Sequence, residues 1–236
     1  MTHDKVVEYY DNIASKYDSD RFGNTYGKFI DRQERKILDR LGLKSGGNVL
    51  EIACGTGRLL DYATAGLDAS AEMLAVARGK FPEKELVQSP AQETPFADES
   101  FDAVYSFHLM MHLPTDTISR IMAEAHRILK PGGRLIFDIP SLGRRSLLKK
   151  QQPTWHGRTS LDRENVERLA AGLFDIRSCH GVMMMPVHKL PSRLRLPLLG
   201  LDTLLTRSPL RPLSSYLVFE LVKKKVDKWL TGAVVP

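Results

Sequence analysis

Apolar positions along this chain fall into two periods, and the switch between them divides it into short strands and longer helices. Val49, Leu50 and Ile52 form a tight apolar run, the pattern of a strand buried on both faces, over 48–52. Comparable runs over 65–68, 84–88, 102–107 and 134–139 predict four more strands. Between them, apolar residues recur three and four apart, which predicts helices over 58–64, 70–80 and 117–129. Ser70 ahead of Met73, Leu74 and Ala77 reads as an N-cap followed by an apolar stripe. Pro131-Gly132-Gly133 breaks the chain after Leu129, as a helix-to-strand turn does. Alternating strand and helix predict an α/β fold on a mostly parallel sheet.

The flanks carry a different pattern. Residues 4–18 read as a polar helix with Tyr9, Tyr10, Ile13 and Tyr17 at helical spacing. A second helix is expected from Tyr26 to about Leu41, stopped near Gly42. After the alternating region comes a basic linker, Gly143 to Gly157. Ser160 then opens a capped helix, with Glu164, Val166 and Leu169, that stops at Gly172. Phe174 to Val182 and Tyr216 to Val222 supply two further strands. Between them, Met183 to Leu213 is rich in leucine, interleaved with Lys189, Arg193, Arg195, Arg207 and Arg211, and cut into short pieces by five prolines. The expected organisation is a helical cap over 1–42 and a core over 43–140. The C-terminal half of the sheet, over 141–236, carries the insert 183–213 within the same domain.

Bulk composition narrows the picture modestly. A chain of 236 residues, 42% hydrophobic and 26% charged, suits one globular α/β domain with additions. No apolar stretch approaches the roughly 18 residues that span a bilayer, and M-T-H-D-K-V-V-E-Y-Y lacks a signal-peptide core. The two cysteines, Cys54 and Cys179, are expected to stay unpaired in a reducing, cytoplasmic setting. The net charge of +6 hides an asymmetry. Residues 141–236 hold 17 Lys/Arg against 7 Asp/Glu, while the first 140 residues hold 17 against 21. A basic C-terminal third beside an acidic core points to a separate task for that third.

The candidate chemistry sits at Val49 to Leu60, V-L-E-I-A-C-G-T-G-R-L-L. Glu51 places a carboxylate at the end of the first strand. Gly55 and Gly57 permit a sharp turn and close approach to a ligand. From Arg58 a helix is expected, its N-terminal amides facing the same point. A dinucleotide loop needs a third glycine where Leu60 stands. A carboxylate there also repels a diphosphate, whereas it attracts an ammonium group. A ligand with an ammonium, a carboxylate and a ribose fits, and S-adenosylmethionine has all three.

E-I-A-C-G-T-G resembles the first motif of class I S-adenosylmethionine-dependent methyltransferases. Gly66-Leu67-Asp68-Ala69-Ser70 with Glu72-Met73-Leu74 resembles their second motif. The run Thr94 to Asp102, then His112-Leu113-Pro114, then Leu129 to Leu135 resemble three later motifs in the right order. Tyr10-Asp11-Asn12-Ile13-Ala14-Ser15-Lys16-Tyr17-Asp18 resembles the lead-in of the small-molecule and quinone-type members. The resemblance covers roughly residues 5 to 140. It implies a Rossmann-like seven-stranded sheet flanked by helices, with the last strand antiparallel between the fifth and sixth. It also implies that the two N-terminal helices cap the cofactor cleft.

The same resemblance assigns roles. Glu51 receives the cofactor's amino group, directly or through water, with a helix-capping carboxylate as the alternative. Ala53, Gly55 and Gly57 line the loop at the methionine part. Asp68, with Ala69 beside it, takes both ribose hydroxyls, since a carboxylate accepts two O–H donors. Met73 packs on the adenine or belongs to the core. Ala91 offers its backbone N–H at the adenine edge, with Gln92 or Glu93 in place of a missing side-chain acceptor, because Pro90 stands where the family commonly has aspartate. Weaker cofactor affinity is the expectation there. Ser106 and Phe107 end the fourth strand near the transferable methyl. Tyr17 and Arg21 close over the cofactor, Arg21 near its carboxylate, or Arg21 is solvated. His112 braces the strand-to-helix turn or acts as a base. His108 is the better candidate for proton removal, where neutral imidazole suits the task. The two histidines are four apart, but no H-E-x-x-H or third ligand accompanies them, so no metal is expected.

One departure from the family bears on the fold. Only ten residues separate Gly57 from Asp68. A four-residue strand is about 13 Å long, and a helix covering that length needs about nine residues. A stunted first helix and a stunted second strand are therefore expected.

The resemblance implies in-line transfer of a methyl from a sulfonium that brings its own leaving group. Alignment alone can contribute about 7–11 kcal/mol, and a base is needed only for a hydroxyl or enol acceptor. The fourth strand ends in Ser106-Phe107-His108-Leu109 rather than N/D-P-P-Y/F, which argues against methylation of nucleobase amines. Basic charge with few interleaved aromatics is a poor nucleic-acid platform. Leucine with arginine in short amphipathic pieces fits a lid over a lipophilic pocket or contact with an anionic membrane, or a cap that merely packs on the sheet. The expected partner is a lipophilic small-molecule acceptor. The alternatives are a non-catalytic S-adenosylmethionine-binding module and an RNA methyltransferase.

Overall fold

A computed structural model describes residues 3–149 and 157–224. The middle of the basic linker and the last residues, 225–236, lie outside the described residues. Seven strands form one sheet in the order β3-β2-β1-β4-β5-β7-β6. They are β1 (Val49–Ile52), β2 (Ala65–Asp68), β3 (Glu85–Gln88), β4 (Phe101–Ser106), β5 (Leu129–Pro140), β6 (Phe174–Val182) and β7 (Tyr216–Lys223). The first five pair in parallel, and β7 runs antiparallel to both β5 and β6. All four β1 side chains are buried because both sheet faces are covered, which is why this strand reads as an unbroken apolar run apart from Glu51. Register places Glu51 opposite Gly66 on one side and Tyr105 on the other.

Helices cover both faces. On one lie α5 (Thr115–Ile128) and α7 (Arg163–Leu169), packing Ile118, Ile121, Met122 and Val166 into a core with Leu50, Ile52 and Phe219. On the other lie α3 (Thr25–Arg40) and the insert. Asn24 caps α3 by accepting from the N–H groups of Tyr26 and Gly27, each at 2.9 Å. Phe29, Ile37 and Leu38 on its inner face are almost completely buried. At about 1.5–3 kcal/mol each, their burial stabilises the cap by an upper bound of roughly 5–9 kcal/mol. The insert is tied to α3 rather than to the sheet alone. Gln33 donates to Asp202 Oδ2 at 2.8 Å and accepts from Met183 N–H at 2.8 Å, and Asp202 Oδ1 accepts from Met185 N–H at 2.6 Å.

Several elements differ from the sequence expectation. No α-helix forms over 58–64. The crossover holds only a 3-10 turn at Leu60–Tyr62 before a four-residue β2. The short interval leaves no length for a helix, so Leu60 itself packs against Gly66, where an added Cβ would meet its side chain at 2.8 Å. No helix N-terminus therefore follows Arg58. The helix expected over 4–18 is three pieces: α1 (His3–Ile13), a 3-10 turn (Ala14–Lys16) and α2 (Tyr17–Phe22). The Pro131-Gly132-Gly133 turn lies inside β5, where the register with β4 shifts between Phe101 and Ala103. Asp162, not Ser160, caps α7, accepting from Asn165 N–H at 2.9 Å. The start of the expected linker is a short helix, α6 (Leu142–Leu147). The insert folds as α8 (Ser192–Arg195) and α9 (Leu199–Leu205) between 3-10 turns. The capped α4 (Ala71–Lys80) follows β2 as read, with Ser70 Oγ accepting from Met73 N–H at 3.1 Å.

Candidate functional site

A cavity of about 380 Å³ opens at the carboxyl ends of β1, β2 and β4, where a doubly wound sheet offers its crevice. Its lining includes Tyr17, Glu51, Ala53, Gly55, Asp68, Ala69, Met73, Ala91, Gln92, Phe107, His108 and His112, drawn from segments 95 residues apart in sequence. Gly57, Arg21 and Ser106 lie outside this lining. Gly57 has φ +81° and faces Phe81, whose ring an added Cβ would meet at 3.2 Å, so close packing against α4 requires glycine there. Arg21 is exposed and donates to the Tyr9 hydroxyl at 3.3 Å. Ser106 is buried behind the wall, its Oγ without a hydrogen-bond partner.

The loop after β1 is shaped by backbone bonds. Ala53 and Gly55 both have positive φ, +56° and +54°. Cys54 N–H donates to Leu67 O at 3.0 Å and Gly57 N–H to Cys54 O at 2.9 Å. Asp68 holds this loop to the head of α4: Oδ2 accepts Gly55 N–H at 2.8 Å and Oδ1 accepts Ser70 N–H at 2.9 Å. Each oxygen keeps a second lone pair for a hydroxyl from the cavity. Burial pushes the Asp68 carboxyl above its ordinary range, while those N–H bonds pull it back.

Glu51 is buried, with Tyr105 OH donating to its Oε2 at 3.2 Å and to Leu59 O at 2.8 Å. Burial raises its pKa to about 8, against the pull of Arg58 and Tyr105. A ligand ammonium would relieve that penalty, because the low-dielectric wall strengthens a compensating charge.

The N-terminal segment covers the cavity and is pinned by the repeated Tyr-Asp pairs, seven residues apart. Tyr10 and Tyr17 line the cavity. Asp11 Oδ1 accepts from Ser70 Oγ at 2.5 Å, and Asp18 Oδ1 accepts from Thr56 Oγ1 at 2.6 Å. Lys80 pairs with Asp18 and donates to Thr56 O at 2.7 Å. His112 Nδ1 accepts Gly157 N–H at 3.3 Å, which leaves Nε2–H toward the Tyr10 hydroxyl, 3.3 Å away. This places the imidazole as a brace between the cover and the segment after 157.

Several of these residues are ones that motif reading passes over. Arg58 lines the cavity and bridges to α3, with Nη1 on Asp31 Oδ1 at 2.8 Å and Nη2 on Glu34 Oε2 at 2.7 Å. Its guanidinium also stacks 4.1 Å over the Phe22 ring. His108 and Arg58 together pull buried Glu34 down to about 2 despite desolvation. Glu34 and Asp138 flank His108, and the three donor atoms lie within 4.8 Å of one another. A cation could be enclosed there, but Arg58 and the imidazole already supply positive charge. His108 and His112 do not converge, since their ring nitrogens face different partners. Against the expectation of a neutral imidazole, the two carboxylates raise the His108 pKa, outweighing burial and Arg58.

Residues 50–137 match the family described as a methyltransferase domain. A demethylmenaquinone methyltransferase of Renibacterium salmoninarum is 36% identical over 150 residues, covering 59% of this chain and 62% of the relative. A sterol 24-C-methyltransferase of Gibberella zeae is 32% identical over 126 residues, covering 48% of this chain and 32% of the relative. The chain thus spans less than two thirds of the length of these relatives. Magnesium protoporphyrin IX methyltransferase from Synechocystis, solved with bound SAH, superposes with a TM-score of 0.65 at 16% identity, covering 94% of this chain and 100% of that one. An SAM-dependent methyltransferase from Archaeoglobus fulgidus superposes at 0.63, again at 16% identity, covering 88% and 98%. Residues 50–137 are thus similar to a methyltransferase domain, and the chain has the fold of solved S-adenosylmethionine-dependent methyltransferases.

Proposed function

We propose that this protein transfers a methyl group from S-adenosylmethionine to a small lipophilic acceptor. One observation carries the reading: a single cavity is lined by a buried carboxylate, Glu51, a half-buried one, Asp68, and an aromatic and imidazole set, Tyr10, Tyr17, Phe107, His108 and His112. Glu51 takes the ammonium, Asp68 the ribose hydroxyls, and Met73 with Ala91 and Gln92 flanks the base. Tyr10, Tyr17 and Phe107 surround the sulfonium, where ring faces favour a cation. The cover of α1 and α2 over the cavity limits water at the reacting line and helps hold donor and acceptor together. His108 handles the acceptor's proton, and His112 holds the cover in place.

The acceptor class follows from what surrounds the cavity. Its lining adds apolar Val6, Val7, Leu113, Pro114 and Ile121 beside Thr117, Arg120 and Arg158. Among the described residues the exposed large apolar side chains lie in the C-terminal half: Leu147, Leu148, Leu194, Leu201, Leu204 and Leu210. In 183–213 the sole acid, Asp202, is fully buried, so five basic side chains there face no carboxylate within the insert. That combination supports peripheral contact with an anionic membrane in the cytoplasm, from which a lipophilic acceptor would arrive. Among the described residues no helix is long and apolar enough to cross a membrane.

The test is incubation of the full chain with methyl-labelled S-adenosylmethionine and a panel of naphthohydroquinones, sterols and porphyrins. The expected result is label transfer to at least one member with matching SAH formation. Calorimetric silence toward both S-adenosylmethionine and SAH would refute the reading. Tight cofactor binding with no transfer to any member would favour a non-catalytic binding module.

A further inference from the structure

The outer face of α9 is apolar. Leu199 and Asp202 on that helix and Thr206 after it are buried, while Leu201 and Leu204, three apart, are exposed. Leu210, in the turn that follows, is exposed as well. Arg207 stands three residues after Leu204, and Arg211 directly after Leu210, so guanidinium and leucine alternate along this edge. Three leucines held in water forgo burial that a hydrocarbon surface would restore.

The sheet beneath supplies polar groups to the same edge. Strands β6 and β7 pair Ser178 with Glu220 and His180 with Val218, which packs in the core under α3, so Ser178, His180 and Glu220 lie on the face that α3 covers. Both Glu220 oxygens are taken: Oε2 accepts from Ser178 Oγ at 2.8 Å and Oε1 from Arg134 Nη1 at 3.1 Å. Because the Ser178 hydroxyl gives its one hydrogen to Glu220, at 3.0 Å it accepts from His180 Nε2–H. The half-buried imidazole therefore keeps Nδ1 without a partner among the described residues.

Three guanidiniums face this ring: Arg40 from the last turn of α3, Arg207 from the chain after α9, and Arg211 from the turn before β7. Arg211 is anchored beside it, Nη1 donating to Cys179 O. Arg40 and Arg207 are exposed, and among the described residues no carboxylate pairs with any of the three. Burial and the neighbouring Arg207 push Arg40 below its ordinary range. Cations crowded together, with the nearby carboxylate already bonded, are complementary to an anion.

We propose that Arg40, Arg207, Arg211 and His180 form a receptor for the phosphate of an anionic phospholipid, with Leu201, Leu204 and Leu210 entering the acyl layer beside it. The inference rests on the membrane-contact reading and deepens it by naming the headgroup site. A phospholipid satisfies both halves of the patch, because phosphodiester oxygens accept from guanidinium forks while the hydrocarbon covers the leucines. RNA would engage the guanidiniums but leave the leucines in water, and residues 189–215 hold no aromatic ring on which a base could stack. The groups facing His180 are Ser178 on β6, Glu220 on β7, Arg40 on α3, and Arg207 and Arg211 of the insert. Burial, with the three guanidiniums, holds the free ring below its ordinary range against the pull of Glu220. A bound phosphate favours the charged ring, so binding takes up a proton and strengthens as pH falls.

The test is partition of the full chain onto phosphatidylcholine vesicles with and without phosphatidylglycerol, whose phosphodiester stays ionised across the pH range used. Arg40→Gln with Arg207→Gln removes two exposed cations of the site. Lys189→Gln with Arg193→Gln removes the same charge elsewhere in the insert. The first pair should lower partition onto phosphatidylglycerol vesicles by about tenfold or more, the second by less than about threefold. Wild-type partition should rise as pH falls from about 7.5 to about 5.5, and His180→Gln should flatten that rise. SAH binding should stay at the wild-type level in both pairs, which keeps the test separate from the methyl-transfer reading. Equal losses in the two pairs would reduce the effect to overall charge and overturn the inference, as would a His180→Gln variant that keeps the wild-type slope. Calorimetric binding of inorganic phosphate without vesicle partition, or an RNA mobility shift lost in the first pair without vesicle partition, would overturn it too. A wild-type chain that partitions onto neither vesicle sinks the membrane-contact reading itself. One that partitions regardless of the first pair sinks the headgroup site alone.

Discussion

Replacing Glu51 by glutamine tests whether the buried carboxyl is the ammonium receptor, and the structure sets both sign and size. Burial raises its pKa to about 8, so at pH 7 only about one molecule in eleven of the empty protein has this group ionised. If the ammonium demands the ionised form, binding at pH 7 is about tenfold weaker than the intrinsic affinity. Affinity should then improve about tenfold per pH unit from 6 to 7, because the competing proton becomes scarcer. At pH 7 each binding event should release about 0.9 proton, the difference between the nearly protonated empty site and the ionised occupied one. The slope flattens toward pH 8, where Glu51 of the empty protein becomes half ionised. SAH titrated calorimetrically in buffers of different ionisation enthalpy counts the protons directly. Glu51→Gln should bind more weakly at pH 7.5, with a flat pH dependence and no proton release. A wild-type affinity that does not change between pH 6 and 7 would refute the reasoning, as would a glutamine variant that keeps the slope.

Three further outcomes follow from other parts of the structure. Asp68→Ala removes the acceptor of the Gly55 and Ser70 N–H groups and of the ribose, and should weaken SAH binding by about 1.5–3 kcal/mol, roughly 10- to 150-fold in Kd; a change under threefold in equilibrium dialysis would contradict the assignment. Arg58→Gln takes the guanidinium from buried Glu34, leaving it His108, and leaves Asp31 only Arg35, at a cost of about 3–5 kcal/mol, so Tm should fall by roughly 6–20 °C in scanning calorimetry; a shift of less than about 2 °C would mean the cap is held otherwise. The pair Leu201→Ser and Leu204→Ser removes two exposed apolar side chains, and flotation with anionic phosphatidylserine vesicles should drop at least tenfold while Tm stays put; unchanged flotation would defeat the membrane contact.

The strands were legible where both sheet faces are covered, because burial forces an unbroken apolar run such as Val49, Leu50 and Ile52. The head of α4 was legible because Ser70 is an N-cap whose bond to Met73 N–H requires no tertiary partner. The crossover misled the eye. Leu59, Leu60 and Tyr62 have helix-like spacing, yet chain length left room for one tight turn, and the interval of ten residues was the better guide. The residues around His108 were missed for another reason. Glu34 sits among Ile30, Ile37 and Leu38 on one helix face, and Asp138 between Phe137 and Ile139 on β5. A carboxylate at a position patterned for the core is itself a signal, since it must have a buried partner. Which partner it has depends on the sheet order, and that is not written locally in either segment.

The two aspartates of the N-terminal segment have a consequence for the order of events. Asp11 grips Ser70, Ser70 N–H is held by Asp68, and Asp68 also holds the glycine loop, while Asp18 grips that same loop at Thr56. Roof and cradle thus hang from shared pegs. A nucleoside that pulls on Asp68 tightens the roof above itself, and by thermodynamic reciprocity a settled roof tightens the hold on the nucleoside.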